Sequence, residues 1–313
     1  MNARFVLTKL FRALVTLWLV VTFAFVILHA SGDPIEILLG DQAEQEVIDH
    51  YKQLYGLDRP MHEQYFRYVA GVAQGDLGFS LSDQRPVTEL LAEAIPATLE
   101  LGLTALVISL LIGIPLGIVA ALNRNKAIDR FVMTFAVLGF SIPNFFLGIL
   151  MILLFSLWLR WLPTSGMGTW QHLVMPALTL GTAAAGSLAR FTRSSMLEVM
   201  SKLYMRTAVA KGVPRGRRIR WHALPNAAIP LVTVLGFRLG DLVAGSIVTE
   251  TVFAWPGVGR ALVSAVSARD LAVVQGVLLM TAFTMVIANL LVDLAYGWID
   301  PRIRAAKSRP SEA

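Results

Sequence analysis

Apolar positions along this chain come in long unbroken runs. Six of them, at 13–30, 98–122, 131–159, 173–191, 228–253 and 271–299, are of the order of the roughly 20 residues a helix needs to cross a bilayer. The first follows Arg4, Lys9 and Arg12 and ends at Ala30, Ser31 and Gly32, which would also suit a cleaved leader. Its apolar core is longer than the usual roughly 7–15 residues, so an uncleaved anchor is expected. The third run contains SIPN (141–144), where proline removes a backbone donor and is predicted to kink the helix. The fourth reads LTLGTAAAGSLAR, whose small residues predict close helix packing.

Two polar intervals have helical patterns of their own. In the segment after the first run, Val47, Ile48, Tyr51, Leu54 and Tyr55 predict a helix over 42–55, and a second amphipathic stretch covers 61–73 after Pro60. Together they predict a small helical cap. Between the fourth and fifth runs, Met196, Leu197, Val199, Met200, Leu203, Tyr204 and Val209 are arranged as in an amphipathic helix. Gly212 can supply the positive φ that stops this helix. A short basic helix is predicted from about 215 to 224, ending at Pro225.

Composition agrees with a membrane protein: 56% of the 313 residues are hydrophobic and 15% charged, against about 45–50% and about 25% in soluble domains. The net charge of +6 is informative through its placement. With the N-terminus inside, 19 Lys and Arg fall on the cytoplasmic side: three before the first run, three at Arg124, Lys126 and Arg130, nine from Arg190 to Arg220 and four from Arg302 to Arg309. Seven fall outside: Lys52, Arg59, Arg67, Arg85, Arg160, Arg260 and Arg269; Arg238 lies within the fifth run. Short loops rich in Lys and Arg stay inside, so the split supports six spans with both termini cytoplasmic. The basic balance is then orientation and calls for no nucleic acid.

Candidate chemistry is sparse. There are no cysteines, which excludes disulfides and thiolate sites. The five histidines, at 29, 50, 62, 172 and 222, are not at ligand spacing, and His62 begins HEQYF, which lacks the second histidine of a zinc-protease signature. A phosphate-binding G-x-x-x-x-G-K-[ST] loop is excluded because none of the six lysines follows a glycine. The basic loop at 206–230 admits two readings, a docking knuckle for a partner protein or a helix pair lying on anionic headgroups. A secondary transporter is the rival from another class. Such folds are built on repeated halves; no internal repeat is visible, and the basic loop would be idle in one.

The loop resembles the "EAA" loop of permease subunits of ATP-binding-cassette importers, E-A-A-x3-G-x9-I-x-L-P. Ala208, Gly212, Leu224 and Pro225 match it, while Arg206, Thr207 and His222 replace its Glu, first Ala and Ile. With Lys211 the run R-T-A-x-A-K-G resembles the dipeptide, oligopeptide and nickel branch. So do GLDRP (56–60), GDLGFS (75–80), PATLEL (96–101), SIPNFF (141–146), VFAWPGVGR (252–260), Arg269-Asp270 and IDPRIR (299–304), in order along the chain. The resemblance implies an all-α integral membrane protein with six transmembrane helices, an external helical cap and a cytoplasmic coupling-helix loop. It also implies a second homologous permease, two cytoplasmic ATP-binding subunits and an external substrate-binding protein as partners. No cofactor is expected on this chain, ATP and Mg being used by the partner ATPases. Peptide is the expected cargo, with nickel or a metal chelate as the alternative.

The expected organisation is a cytoplasmic N-terminus and first span at 1–31, an external segment at 32–96, a five-helix permease core at 97–300 containing the coupling loop at 192–227, and a cytoplasmic tail at 301–313. Candidates for the translocation path or gate are Ser141, Asn144, Arg238, Asp241, Glu250, Trp255 and Arg260. Trp255 alone would also suit an aromatic belt at the membrane interface, and Pro256, Gly257 and Gly259 are expected to form a sharp turn leading into Arg260. Arg238 and Asp241 are costly at bilayer depth and stand at i, i+3, so they either pair with each other or line a watery route.

Overall fold

A computed structural model describes residues 3–30, 45–80, 82–244 and 246–299, with the side chains of 236–244 and 292–299 among those outside the description. The helices are α1 (Ala3–Ala30), α2 (Gln45–Tyr55), α3 (Met61–Ala73), α4 (Val87–Leu122), α5 (Ala127–Ser141), α6 (Asn144–Met151), α7 (Trp170–Ser201), α8 (Leu203–Ala210), α9 (Leu224–Ala244), α10 (Ile247–Val252), α11 (Val258–Ser267) and α12 (Leu271–Ile299). A two-residue hairpin, β1 (Phe79–Ser80) against β2 (Arg85–Pro86), departs from an all-α fold. Among the described residues four helices are long and apolar enough to cross a membrane, and five if α5 and α6 form one broken span. The fifth predicted run contains most of α9 and passes through residue 245, which is not described, and through 236–244, whose side chains are not.

Several expected elements differ in extent. The helix of the second run starts at Val87 rather than 98, passes Pro96, and at 36 residues is about 54 Å long, more than the hydrocarbon layer requires. Arg85 pairs with Glu93 on its first turns, where an exposed ion pair keeps that end polar. The proline of SIPN does more than kink: α5 ends at Ser141, Pro143 caps α6, and the chain turns by 95°. α6 then continues as a π-helix, Ile152–Trp158.

The chain divides into two compact units, 1–98 with 256–290 and 99–255 with 291–313. In the first, Val21 and Ala24 of α1 and Leu279 of α12 form a core with Tyr68, Val69 and Val72 of α3. Thr22 and Tyr65 share a hydrogen bond of 2.8 Å, so the predicted cap helix docks on the first span. Buried Gln275 of α12 donates to the Ala24 carbonyl at 2.7 Å, which satisfies an amide that would otherwise be costly in lipid.

Motifs far apart in sequence meet in this unit. Ser80 of GDLGFS donates to the Asp270 carboxylate at 2.5 Å, and the Val273 amide donates to the same side chain at 3.2 Å. Asp270 thereby caps α12 and holds the hairpin to it. Thr98 of PATLEL accepts the Val258 amide at 2.8 Å, satisfying an orphan donor at the start of α11.

In the second unit α7 is central and packs against α5, α6, α8, α9 and α10. The small-residue run makes this possible, as expected. A Cβ on Gly186 would stand 2.4 Å from the Ala136 carbonyl of α5, and one on Gly117 of α4 would stand 2.5 Å from the Ala189 carbonyl of α7. Backbones approach there too closely for any side chain.

Candidate functional site

The loop singled out in the sequence is built from the end of α7, α8 and the start of α9. One amphipathic helix over 196–209 is expected, but α7 runs on to Ser201 and stops at Lys202, whose ψ of 152° is extended. The reason is packing. Met196 and Val199 of α7 share a buried cluster with Met205 of α8 and with Ala121, Ala223 and Ala227. Met196 and Met205 are nine residues apart, which on a straight helix places them on opposite faces. The break lets both face the same core.

α8 buries Met205 and Ala208 and exposes Leu203, Tyr204 and Val209, with Arg206 and Thr207 also outward. Leu203 is 77% exposed, so α8 presents a mixed outer face of apolar side chains interleaved with Arg206 and Thr207. It ends at Lys211 and Gly212. Gly212 has φ +68°, its amide donates to Val209 O at 2.9 Å, and the Val213 amide donates to Ala208 O at 3.1 Å. This pair of bonds is a Schellman closure, the glycine stop expected from sequence.

The following segment does not end at Pro225. Arg215–Arg217 forms a helical turn, Arg218–Ala223 is π-helical, and Leu224–Ala244 continues as α9. Pro225 offers no amide, and the wider π turn before it spaces its ring from the preceding carbonyls. Leu224 is half-buried and Pro225 exposed. Arg215 donates to the Leu122 carbonyl at the end of α4, at 3.2 Å, and Asn226 donates to the His222 carbonyl at 2.7 Å.

A buried ion pair beside this loop escaped the sequence reading. Arg193 of α7 makes a two-pronged contact with Asp129 of α5, Nε to Oδ1 at 2.6 Å and Nη2 to Oδ2 at 2.7 Å. The Asn125 amide also donates to Asp129, at 2.8 Å. Asp129 is 4% exposed and Arg193 25%. The fork geometry and charge make these strong bonds, tying the α4–α5 turn to the helix that carries the loop. The available signal was one acid inside the basic cluster Arg124, Lys126, Arg130.

The candidate gate residues are distributed. Ser141 is exposed at the end of α5 and Asn144 half-buried at the start of α6. α6 packs on α10, and Gly148 faces Val252 and Phe253, so the helix that follows Pro143 meets the start of VFAWPGVGR. Glu250 is fully buried and accepts from Ser246 Oγ at 2.6 Å. Trp255 is also buried, so its ring does not face lipid as a belt residue does. Ala254, with φ +47°, takes the left-handed position at the end of α10, and the Trp255 amide closes on Glu250 O at 2.8 Å. The turn thus falls at Ala254, not at the expected Pro256, Gly257 and Gly259: Gly257 is the extended N-cap of α11, Gly259 lies within that helix, and Arg260 is exposed on its first turn. Arg238 and Asp241 lie outside the residues whose side chains are described.

Comparison with known proteins agrees with this arrangement. Residues 113–305 match the family described as "Binding-protein-dependent transport system inner membrane component", and 2–102 match its N-terminal counterpart. The chain is 45% identical to the glutathione transport system permease protein GsiC of Salmonella paratyphi A over 96% of this chain and 98% of that one. It is 44% identical to GsiC of Escherichia coli K12 with the same coverage. Among solved structures, a chain of the inward-facing MetNI methionine ABC transporter superposes with a TM-score of 0.59 at 21% identity, covering 67% of this chain and 96% of that one. A chain of an amino acid ABC transporter with histidines superposes with a TM-score of 0.55 at 14% identity, covering 67% and 94%. These two show the fold. The chain therefore belongs to the inner-membrane components of binding-protein-dependent transport systems, and is a multi-pass permease subunit of an ABC importer.

Proposed function

We propose that this permease forms half of the path for ATP-driven import of di- and oligopeptides, including tripeptides of glutathione size. The observation that carries this reading is 45% identity to glutathione permeases along nearly the full length of both chains. A second homologous permease completes the pore, an external binding protein delivers cargo, and two cytoplasmic ATPase subunits hydrolyse ATP with Mg. α8 is the element that seats in an ATPase subunit: its buried face ties it to α7 and α9, while Leu203, Tyr204, Val209, Arg206 and Lys211 face outward. Thr207, Ala208, Gly212, Leu224 and Pro225 shape that element. Ser141, Asn144, Glu250, Trp255 and Arg260 belong to the gate and its support in this reading, with Arg238 and Asp241 lining the route.

Reconstituted with its partner subunits and its cognate binding protein, the complex is expected to accumulate labelled glutathione or a dipeptide in vesicles only when ATP is present. Uptake driven by an ion gradient without ATP would overturn the importer reading. Failure of the cognate binding protein to bind any short peptide, while ATP-dependent uptake of another solute persists, would overturn the cargo alone.

The proposed topology has six spans with both termini in the cytoplasm. Because the chain has no native cysteine, single cysteines report cleanly. Gln74→Cys in the cap should react with an impermeant thiol reagent added to intact cells, and Arg217→Cys only after the membrane is opened. The reverse pattern would sink the topology and the assignment of α8 with it.

A further inference from the structure

We infer that the basic arm at 215–223 is an interfacial binding site for anionic phospholipid headgroups, distinct from the partner-facing edge of α8. Three observations converge on this. The first is charge: Arg215, Arg217, Arg218 and Arg220 fall within six residues, and no acidic residue occurs from 199 to 240. Such a segment beside a membrane is attracted to anionic lipid, each arginine adding roughly fivefold to surface partition.

The second is depth. The arm is continuous with α9, so at about 1.5 Å per residue Trp221 and Arg220 stand only about 5–6 Å along the helix from the apolar start at Leu224. The headgroup layer on each side of a bilayer is about 5–7 Å thick. The other end of the arm is linked to α4, because the Arg215 side chain donates to the carbonyl of Leu122, the last residue of that helix. An arm joined at one end to α9 and at the other by a side chain to the end of α4 keeps its arginines near those helix ends.

The third is the side chain at its centre. Trp221 is 67% exposed, and the Arg220 guanidinium carbon lies 5.9 Å from its ring centroid. An exposed indole next to arginines suits a layer that is apolar on one side and charged on the other. α8 differs in composition: its exposed face carries Leu203, Tyr204 and Val209 with a single arginine, Arg206, among them. The inference rests on the proposed reading of α4 and α9 as spans, but not on their orientation.

The test uses the assembled complex in nanodiscs containing phosphatidylglycerol or phosphatidylcholine brominated in the acyl chains near the headgroup. The Trp221 signal is the fluorescence difference between wild type and Trp221→Phe. Brominated phosphatidylglycerol should quench it at a mole fraction several-fold lower than brominated phosphatidylcholine. Arg217→Gln with Arg220→Gln, both at exposed positions, should raise the phosphatidylglycerol fraction for half-quenching at least fivefold. Equal quenching by the two lipids would overturn the anionic site and leave the span reading intact. Absence of quenching by either lipid would overturn both. Quenching that appears only when the ATPase subunits are omitted would show that a protein occupies the arm, and would equally overturn the proposal.

Discussion

Arg193→Leu is expected to destabilise this permease by about 3 kcal/mol, the lower end of the range for stranding one member of a buried ion pair. Asp129 is almost fully buried, and Arg193 supplies two of its three described hydrogen bonds, the Asn125 amide giving the third. Without the guanidinium, a carboxylate remains in a poorly hydrated site with a single backbone donor. The partial exposure of Arg193 lets water in, which holds the loss near the lower figure. Thermal melting of the detergent-solubilised chain should fall by several degrees, and the yield of inserted protein should drop. Asp129→Leu combined with Arg193→Leu should recover most of the stability, because removing both charges removes the desolvation cost as well. If the single variant melts like wild type, the contact is not a stabilising one. If the double variant is worse than the single, the pair holds the α4–α5 turn through its own hydrogen bonds rather than by charge balance.

Gly212→Val should abolish most transport while leaving the fold in place. The position has φ +68°, and nothing lies within 4 Å of where a Cβ would be, so the entire penalty is conformational. A left-handed residue other than glycine costs roughly 1–2 kcal/mol, and a β-branched one lies at the upper end of that. The loss is small against a multi-helix core but falls on one turn. Opening it breaks the closure of Val213 on Ala208 and redirects the arm relative to α8. ATP-driven uptake is expected to drop at least tenfold, with membrane yield and melting within error of wild type. Gly212→Asn, which tolerates this conformation, should retain most of the activity. Full uptake by Gly212→Val would show that the turn does not position α8, and a large fall in yield would show that it serves folding instead.

The two sites differ in how far sequence alone could reach them. Gly212 was legible because a helix stop is a local event: one residue type takes that backbone conformation cheaply, wherever the chain lies. The last span, read as 271–299, coincides with α12 for the same reason, since a continuous apolar run is enough to define it. Pro143 by itself predicts a kink, whereas in the structure it separates the end of one helix at Ser141 from the start of another at Asn144. The signal was local there too, but its strength was not.

Arg193 and Asp129 stand 64 residues apart. The lone acid among Arg124, Lys126 and Arg130 hints at a charge partner but does not say which, and only the packing of α7 against α5 makes the two neighbours. That packing depends in turn on the absence of a side chain at Gly186, where α7 approaches the Ala136 carbonyl of α5 backbone against backbone.

The chain's own pattern therefore determined that long apolar helices dominate the fold, where four of them lie, and the glycine stop after α8. These depend on residues within a few turns of one another. Tertiary structure decided where α7 breaks, because Met196 and Met205 can share one core only if the helix ends between them. It also decided that Trp255 is buried rather than lipid-facing and that Arg193 finds a carboxylate. Each of these is a burial or a pairing between distant segments. Its free energy exists only once the helices are packed, so no local pattern carries it.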